Sequence, residues 1–561
     1  MFRSGLTFLF IASLLLILVS NPSAQTLPTE ATSLMVGSGN CALCHQNLID
    51  AAGNDVSIDA HWRSTMMANS ARDPFFIAKV STEVARFPAL RDVIEDKCAK
   101  CHFGMAHEQA LADGAATHIL EDGFTNPDNP YHAIGMDGVS CALCHQIQPD
   151  GLGEPDSFSG GYVIDDARVK PDRIIFGPYS NPLINPMRNI SQFTPELGEH
   201  LTESKLCASC HTLYTPTVND AGEVIGEFPE QTIYLEWLHS AYADGEGDDD
   251  KSCQDCHMPH AEGGVRISNI PPHAAARSPF SQHQFVGGNV SMLEILRDNG
   301  DELNVTATSG QFDATIERVV NQLQQSSAEV VIDNVQGGDK LRVFLTVLNH
   351  TGHKFPAGYP SRRAWIHFKL IDGAGAVVFE SGRPLEDGRI EGADSDFEDS
   401  EPKIEMHYPA ISQQEDVQIY ETVFQDSNLN ITQTLLLADR YAKDNRIPPL
   451  GFDSLNVPDD IKPDRITTHD SGYGSGYGNG KDEIFYTIDW SGFEGPFSVE
   501  AELLYQSIAH PYIRDMQAYD TPEAAAFLRY YEALEQKYVV CSNARMEGIV
   551  KETSVRDWPQ R

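Results

Sequence analysis

The sequence Cys141-Ala-Leu-Cys144-His145 decides how this chain is built, because its pattern of two cysteines and a histidine recurs along the first half. The other copies are Cys41-Ala-Leu-Cys44-His45, Cys98-Ala-Lys-Cys101-His102, Cys207-Ala-Ser-Cys210-His211 and Cys253-Gln-Asp-Cys256-His257. Ten of the 11 cysteines belong to these five motifs. A pattern repeated with the same internal spacing indicates one chemistry that is used five times.

The motif Cys-x-x-Cys-His is the attachment sequence of c-type haem. Its two thiols form thioethers with the two vinyl groups of one haem, and the adjacent histidine ligates the iron. The sequence therefore predicts five molecules of haem c, each attached through both cysteines of its motif. The predicted proximal iron ligands are His45, His102, His145, His211 and His257.

Other roles of paired cysteines explain the pattern less well. Zinc ribbons use Cys-x-x-Cys but do not need a histidine after every second cysteine. A disulfide framework suits an exported chain, yet it has no need for that histidine either. A thioredoxin-like pair would occur once, within an α/β pattern. Cys541 lies outside the motifs, and we expect a buried structural thiol there, with an intermolecular disulfide as the alternative.

An iron that only transfers electrons needs a sixth ligand, and nine further histidines lie between residues 61 and 283. We expect the distal ligands among His61, His107, His132, His273 and His283, together with His353 from the second half of the chain. His61 lies on a predicted helix that ends at Asp73-Pro74. His353 lies in a loop between two predicted strands, and loops often carry ligands on rigid scaffolds.

The charge balance is strongly acidic, with 40 lysines and arginines against 81 aspartates and glutamates, which gives a net charge of −41. A nucleic-acid partner is excluded on this ground, because phosphate would be repelled. A basic redox partner would be attracted to such a surface. The alternative is that the charge serves only to keep the protein soluble.

Residues 1–24 have the composition of a secretory signal peptide. Arg3 gives a positive start, an apolar run extends from Leu6 to Val19, and cleavage is expected near Ala24. The run is shorter than the roughly 20 residues that a membrane-spanning helix needs. We expect a periplasmic or extracellular protein that is not integral to the membrane after cleavage, with an uncleaved anchor as the alternative.

The hydrophobic pattern changes along the chain and predicts a multidomain protein. Turns and short helices surround the motifs, where the flat haem rings would supply much of the apolar core. Alternation with period two begins near residue 328 and is typical of a β-sandwich. The predicted units are the signal peptide, 1–24; a mostly α-helical and irregular pentahaem cytochrome domain, 25–310; a connecting helix, 311–326; an all-β, immunoglobulin-like sandwich domain, 327–510; and a C-terminal helical tail, 511–561.

Several segments besides the motifs resemble the multihaem c-type cytochromes of the cytochrome c554-like family. They are residues 62–75, 137–140, 227–231, 235–237, 252–259 and 349–363. The resemblance implies a pentahaem cytochrome with a C-terminal β domain. It also implies electron transfer between exported or surface redox partners, without fixing the partner.

Three hypotheses about function follow from these features. The first is an exported carrier that passes electrons along five haems to a redox partner protein or an extracellular acceptor. The second is a haem oxidoreductase that acts on a small nitrogen or sulfur compound at one open-site haem. The Cys-x-x-Cys-Lys motif of ammonia-forming nitrite reductases does not occur here, which favours the carrier over the enzyme. The third, a self-associating subunit of an extracellular cytochrome filament, is compatible with the first.

Overall fold

The computed structural model describes residues 26–243, 250–397, 404–466, 470–474 and 479–551. The predicted signal peptide, residues 1–24, lies outside these ranges. Within them, no helix is both long enough and apolar enough to cross a bilayer.

The α-helices are short, and most of them lie in the first half of the chain. They are α1 (Ser38–His45), α2 (Ile58–Trp62), α3 (Pro74–Arg86), α4 (Arg91–His102), α5 (Gly104–Asp113), α6 (His132–Gly135), α7 (Cys141–Cys144), α8 (Ile184–Ile190), α9 (Ser204–His211), α10 (Ile233–Leu238), α11 (Cys253–His257), α12 (Val290–Asp298), α13 (Ser309–Gln322), α14 (Asp394–Phe397), α15 (His510–Gln517) and α16 (Pro522–Glu532).

Every attachment motif lies on a helical turn, in α1, α4, α7, α9 and α11. On a helix, residues at positions i, i+3 and i+4 share one face. The two cysteines and the histidine of each motif stand at these positions, so all three side chains can reach one planar group. The short helices therefore follow from what the motif must hold.

The strands lie mainly after residue 327. They are β1 (Ile174–Gly177), β2 (Thr194–Leu197), β3 (Thr212–Val218), β4 (Val224–Thr232), β5 (Val265–Arg266), β6 (Ala276–Arg277), β7 (Ala328–Gln336), β8 (Leu341–Asn349), β9 (Arg363–Ile371), β10 (Val377–Ser381), β11 (Ala410–Ile411), β12 (Ile419–Tyr420), β13 (Thr422–Gln425), β14 (Ile431–Thr432), β15 (Arg440–Asp444), β16 (Lys481–Ile488), β17 (Phe497–Gln506) and β18 (Val539–Ile549).

Two sheets form the body of the second half. One has the strand order β10-β9-β17-β18, with β12 also paired to β9, and the other has the order β11-β16-β8-β7. Their inner faces share one hydrophobic core. Phe368 of the first sheet stacks on Tyr486 of the second, with ring centroids 3.9 Å apart. The predicted change from helices to strands is thus found, whereas the immunoglobulin-like topology stays a prediction.

The C-terminal region differs from the predicted helical tail. Helices α15 and α16 are followed by β18, which pairs antiparallel with β17 along its length. Cys541 lies in this strand, is 1 % exposed and has its pKa raised to about 12 by burial. The strand completes the edge of the first sheet, so tertiary pairing sets the structure of this segment. The expectation of a buried Cys541 is confirmed.

The two halves of the chain share a hydrophobic cluster. Phe75 of α3 and Met292 of α12 pack with Tyr512, Met516 and Phe527 of the C-terminal helices. All five side chains are at least nine-tenths buried. The second half is therefore packed against the helices that surround the motifs, and a loop of the second half can reach a motif.

Candidate functional site

All eleven cysteines are free thiols in the structure. The motif cysteines are nearly all partly buried, whereas Cys256 of the fifth motif is exposed. A disulfide framework, one of the competing interpretations of the sequence, is therefore not formed by these residues. The thiols stand where the sulfur atoms of thioethers would lie if haem were attached.

Thiols from different motifs contact one another. Hydrogen bonds that raise the pKa of the first thiol join Cys41 to Cys141, Cys101 to Cys210 and Cys207 to Cys253. Burial, and then the nearby Cys210, raise the pKa of Cys144 to about 12. The first motif thus adjoins the third, the third adjoins the fourth, and the fourth also adjoins the second and the fifth.

Four of the five motif histidines are held in one tautomer by backbone carbonyls. Nδ1 donates to a carbonyl oxygen in His45 (Ile267, 2.6 Å), His102 (Ser70, 3.1 Å), His145 (Phe176, 2.7 Å) and His257 (Val286, 2.5 Å). A carbonyl only accepts, so Nδ1 carries the proton and the lone pair of Nε2 stays available. Metal-bound histidines are oriented by this kind of hydrogen bond.

Two of these histidines face a second imidazole. The rings of His145 and His283 have centroids 6.4 Å apart and planes 14° from parallel, and those of His257 and His353 show the same two values. The rings are too far apart for direct stacking. Two metal–nitrogen bonds of roughly 2 Å each, plus the radius of each ring, account for the separation. The spacing fits one iron between each pair.

Burial keeps these imidazoles neutral, which is the form that binds metal. It lowers the pKa of all five motif histidines, to about 4 at His102 and His211. It also lowers the pKa of His283 to about 3 and that of His353 below its ordinary value. Nδ1 of His353 donates to the carbonyl of Lys354 at 2.9 Å, which leaves Nε2 free. The donor set therefore fits haem iron.

The other candidate ligands are placed differently. His61 is partly buried, and burial lowers its pKa to about 4, but its ring does not face a motif histidine within the described chain. His132 donates from Nδ1 to the carbonyl of Phe124 at 2.8 Å. His273 is exposed. Of these, His61 and His132 keep a buried or oriented ring that could serve as a ligand.

His107 is 1 % exposed and has both ring nitrogens engaged. Nε2 lies 3.0 Å from a carboxylate oxygen of Asp96, and Nδ1 lies 3.2 Å from one of Glu108. Both nitrogens face carboxylate oxygens, so His107 would have to leave one of these partners to ligate iron, and its ligand role stays a prediction. The spacing of His107 from the second motif gave no sign of these acidic neighbours.

The arrangement of two further residues could not be predicted from the sequence, although His239 is one of the nine candidate histidines. Phe76 stacks on His102, with ring centroids 3.5 Å apart and planes 1° from parallel. His239 donates from Nδ1 to the carbonyl of Leu235 at 2.8 Å and so shares the tautomer of the motif histidines. The sequence carried no periodic signal for either arrangement, because each depends on a contact between a side chain and a particular neighbour.

A second group of possible metal ligands lies in the β half. His407, Asp470 and Asp482 place ligand atoms within 4.8 Å of one another. Nδ1 of His407, however, accepts N–H groups from Gln418 at 2.8 Å and from Asn445 at 3.1 Å. The proton of His407 is therefore on Nε2, which donates to Asp470 at 2.9 Å.

The side-chain amides of Gln418 and Asn445, which face His407, cannot rotate by 180° without losing a hydrogen bond. The side-chain oxygen of Gln418 accepts the backbone N–H of Tyr408 at 2.7 Å, and that of Asn445 accepts the N–H of Glu421 at 3.0 Å. These bonds fix the amide orientations and leave the histidine without a free lone pair. The cluster is a hydrogen-bonded polar part of the core and is not built as a metal site.

Comparisons with known proteins give one structural likeness. No family model matches the chain, and no curated protein matches it. A crystal structure of a penta-heme cytochrome c552 from Thermochromatium tepidum is similar at 15 % sequence identity and a TM-score of 0.49. The match covers 93 % of this chain and 100 % of that one.

Proposed function

We propose that this chain is an exported c-type cytochrome that holds five haems on its Cys-x-x-Cys-His motifs and carries electrons among them. The observation that carries the proposal is the pairing of motif histidines with a second imidazole, His145 with His283 and His257 with His353. An iron held by two imidazoles is suited to electron transfer because no position is left for a substrate.

Haem bound at the motifs would supply reversible one-electron chemistry at iron. The protein attaches it through ten cysteines and orients it through the carbonyl-bound histidines. The buried, neutral histidines hold no proton that must leave before binding. Phe76 covers one face of His102 and excludes water from it.

The contacts between thiols suggest a branched route. The first, third and fourth motifs follow one another, and the second and fifth both adjoin the fourth. A thioether sulfur lies next to the porphyrin edge, so contacting sulfurs would place neighbouring ring edges close together. The fourth motif is then a branch point. The exposed Cys256 places the fifth motif at the surface, where a partner could exchange electrons.

The partner and location belong to the same proposal. The charge of −41 favours a basic redox protein, and an extracellular acceptor remains compatible with a protein exported through residues 1–24. We propose the periplasm or the cell exterior as its location, where covalent haem attachment and the signal-like N-terminus are both expected.

A haem oxidoreductase is the second candidate, and one observation favours it. Within the described residues, His45, His102 and His211 have no second histidine ring in contact across the metal position. One of the three haems could then keep an open position for a small nitrogen or sulfur compound. In a pure carrier, other side chains, such as the predicted ligands His61 and His132, would have to close these positions.

Carbon monoxide binding tests both candidates. We would purify the full-length holoprotein, reduce it and count the haems that bind carbon monoxide. His283→Ala and His353→Ala should each add one reactive haem, because each opens a sixth position. His367→Ala is the matched control, since His367 bonds to Glu380 and Glu502 on the β half and faces no motif. A reactive haem in the unaltered protein supports the oxidoreductase, and unreactive ligand variants would refute the assigned pairs.

A further inference from the structure

We infer that Glu236 is a positioning residue for His353, the proposed sixth ligand of the fifth haem. Glu236 belongs to the motif half and binds the backbone of the β-half loop that carries His353. The inference rests on the proposed function, in which His353 ligates that haem. Glu236 lies in α10, between the fourth and fifth motifs, and does not itself touch the metal position.

Hydrogen bonds within the loop hold His353 in place. The carbonyl oxygen of His353 accepts hydrogen bonds from Nδ2 of Asn349 at 2.8 Å and from Oγ1 of Thr351 at 2.7 Å. The ring donates from Nδ1 to the carbonyl of Lys354 at 2.9 Å. The orientation of the imidazole thus depends on where the backbone of Lys354 lies.

Glu236 fixes that backbone from the other half of the chain. Its Oε2 accepts the backbone N–H of Lys354 at 3.1 Å. The N–H and the C=O of Lys354 are therefore both occupied, one by Glu236 and the other by the ring of His353. A single residue connects the carboxylate to the proposed ligand.

The side chain of Lys354 extends this connection into a buried ion network. Nζ of Lys354 lies 2.6 Å from Asp444. Arg446 contacts both oxygens of Asp444, at 2.8 and 2.9 Å, and contacts Oε1 of Glu236 at 2.9 Å. Thr232 donates to the same Oε1 at 3.1 Å. Every oxygen of the two carboxylates therefore has a partner.

The four charged side chains of this network are buried, so each of them depends on its partners for compensation of its charge. The side chains of Glu236 and Lys354 are fully buried, and those of Asp444 and Arg446 are 1 % and 8 % exposed. Two acids and two bases cancel in charge, which allows all four to leave water together. Removal of one member leaves an uncompensated buried charge and is strongly unfavourable.

Only Glu236 among the four comes from the half that carries the motifs. Lys354, Asp444 and Arg446 belong to the β half, and they would stay together if the halves separated. Other contacts also join the halves, and in this loop the hydroxyl of Tyr242 donates to the carbonyl of His350 at 3.1 Å. Glu236 is the motif-half residue that holds the backbone of Lys354, next to His353, and so sets where the imidazole lies relative to the fifth motif.

The test uses the full-length holoprotein with Glu236→Ala and Glu236→Gln. We expect Glu236→Ala to make one additional haem bind carbon monoxide, the same haem that becomes reactive in His353→Ala. The double variant should gain no second reactive haem. Glu236→Gln keeps an oxygen for the N–H of Lys354 but loses the charge that faces Arg446, so it should open the same haem in a fraction of the molecules, and it serves as the measurement if the alanine variant does not fold.

The matched control is Asp396→Ala. It breaks another fully buried ion pair of the β half, with Arg363, and should lower stability without changing any haem. Unchanged haem spectra in both Glu236 variants, while His353→Ala opens a haem, would overturn the inference and leave the proposed function intact. If His353→Ala opens no haem, the assigned ligand fails instead.

Discussion

A hydrogen bond from Nδ1 of a histidine to a backbone carbonyl fixes the tautomer and leaves Nε2 free for iron. His145 and His353 both donate from Nδ1 to a carbonyl and keep Nε2 free. His107 and His407 have their nitrogens committed to carboxylates or amides. At the scale of the residue, the partners of the ring nitrogens show which histidines keep a nitrogen free for iron, which distance from a motif does not show.

The first prediction at this scale concerns the redox potential of the fifth haem. Replacement of His353 by methionine should raise one midpoint potential, because a thioether ligand favours ferrous iron relative to imidazole. Potentiometric titration of the holoprotein, with His367→Met as the control, measures the change. If no midpoint potential changes, the ligand role of His353 is contradicted.

The second prediction concerns the buried Glu230. Burial raises the pKa of Glu230 to about 7 from 4.5, so its ionised form is disfavoured in the folded protein. The free energy of unfolding therefore falls as pH rises from about 4.5 to 7, by about 3 kcal/mol at most. Glu230→Gln should raise the melting temperature at pH 8 and leave it nearly unchanged at pH 4.

The control for Glu230 is the exposed Glu121→Gln. Its side chain is 76 % exposed and should show no such pH-dependent gain. If Glu230→Gln stabilises equally at both pH values, its effect comes from packing and the raised pKa of Glu230 is contradicted.

At the scale of the element, capping boxes mark the start of two helices. Thr308 accepts the N–H of Gln311, and the Gln311 side chain accepts the N–H of Thr308, which forms a capping box at the start of α13. Ser252 and Asp255 form the same arrangement at α11, which carries the fifth motif. A capping box satisfies two N–H groups that the helix leaves unpaired.

We predict that Thr308→Ala lowers the free energy of unfolding by about 1 kcal/mol, the usual effect of losing an N-cap. Chemical denaturation followed by the far-ultraviolet signal measures it. Thr308→Ser retains the hydroxyl and should restore most of the loss. An equal loss in the serine variant would show that the methyl group, not the cap, stabilises this position.

Some helices and strands could be predicted from the sequence alone, whereas others depend on tertiary contacts. The motif helices follow from the spacing of their cysteines, and β8 follows from its alternation over residues 341–348. The strand β18 was not foreseen, since its place depends on pairing with β17. In the same way, the motifs predict five proximal histidines, but the proposal of His283 and His353 as distal ligands depends on tertiary neighbours.

At the scale of the whole molecule, many contacts join the halves, and two of them are buried clusters. One is the hydrophobic cluster between α3, α12 and the C-terminal helices, and the other is the ion network around Glu236. The loop of the β half supplies His353 to the fifth motif. The β half therefore takes part in the proposed site and does more than cover it.

The net charge gives a prediction for electron exchange with small molecules. Reduction of a cationic acceptor such as hexaammineruthenium(III) should slow as salt increases, whereas reduction of ferricyanide should accelerate. The Debye length falls to about 10 Å at 0.1 M salt, which screens the −41 surface. Stopped-flow rates at two ionic strengths measure both. Equal salt dependence for the two acceptors would contradict electrostatic selection of a basic partner.

The most direct test of the account is the covalent haem content of the purified full-length protein. After extraction with acidified acetone, which removes haem that is not covalently bound, the pyridine haemochrome and the iron content are measured per chain. The account predicts five haems and five irons retained by each polypeptide, one for each motif. A colourless chain, a chain that contains zinc or a chain that loses its haem to the solvent would contradict it.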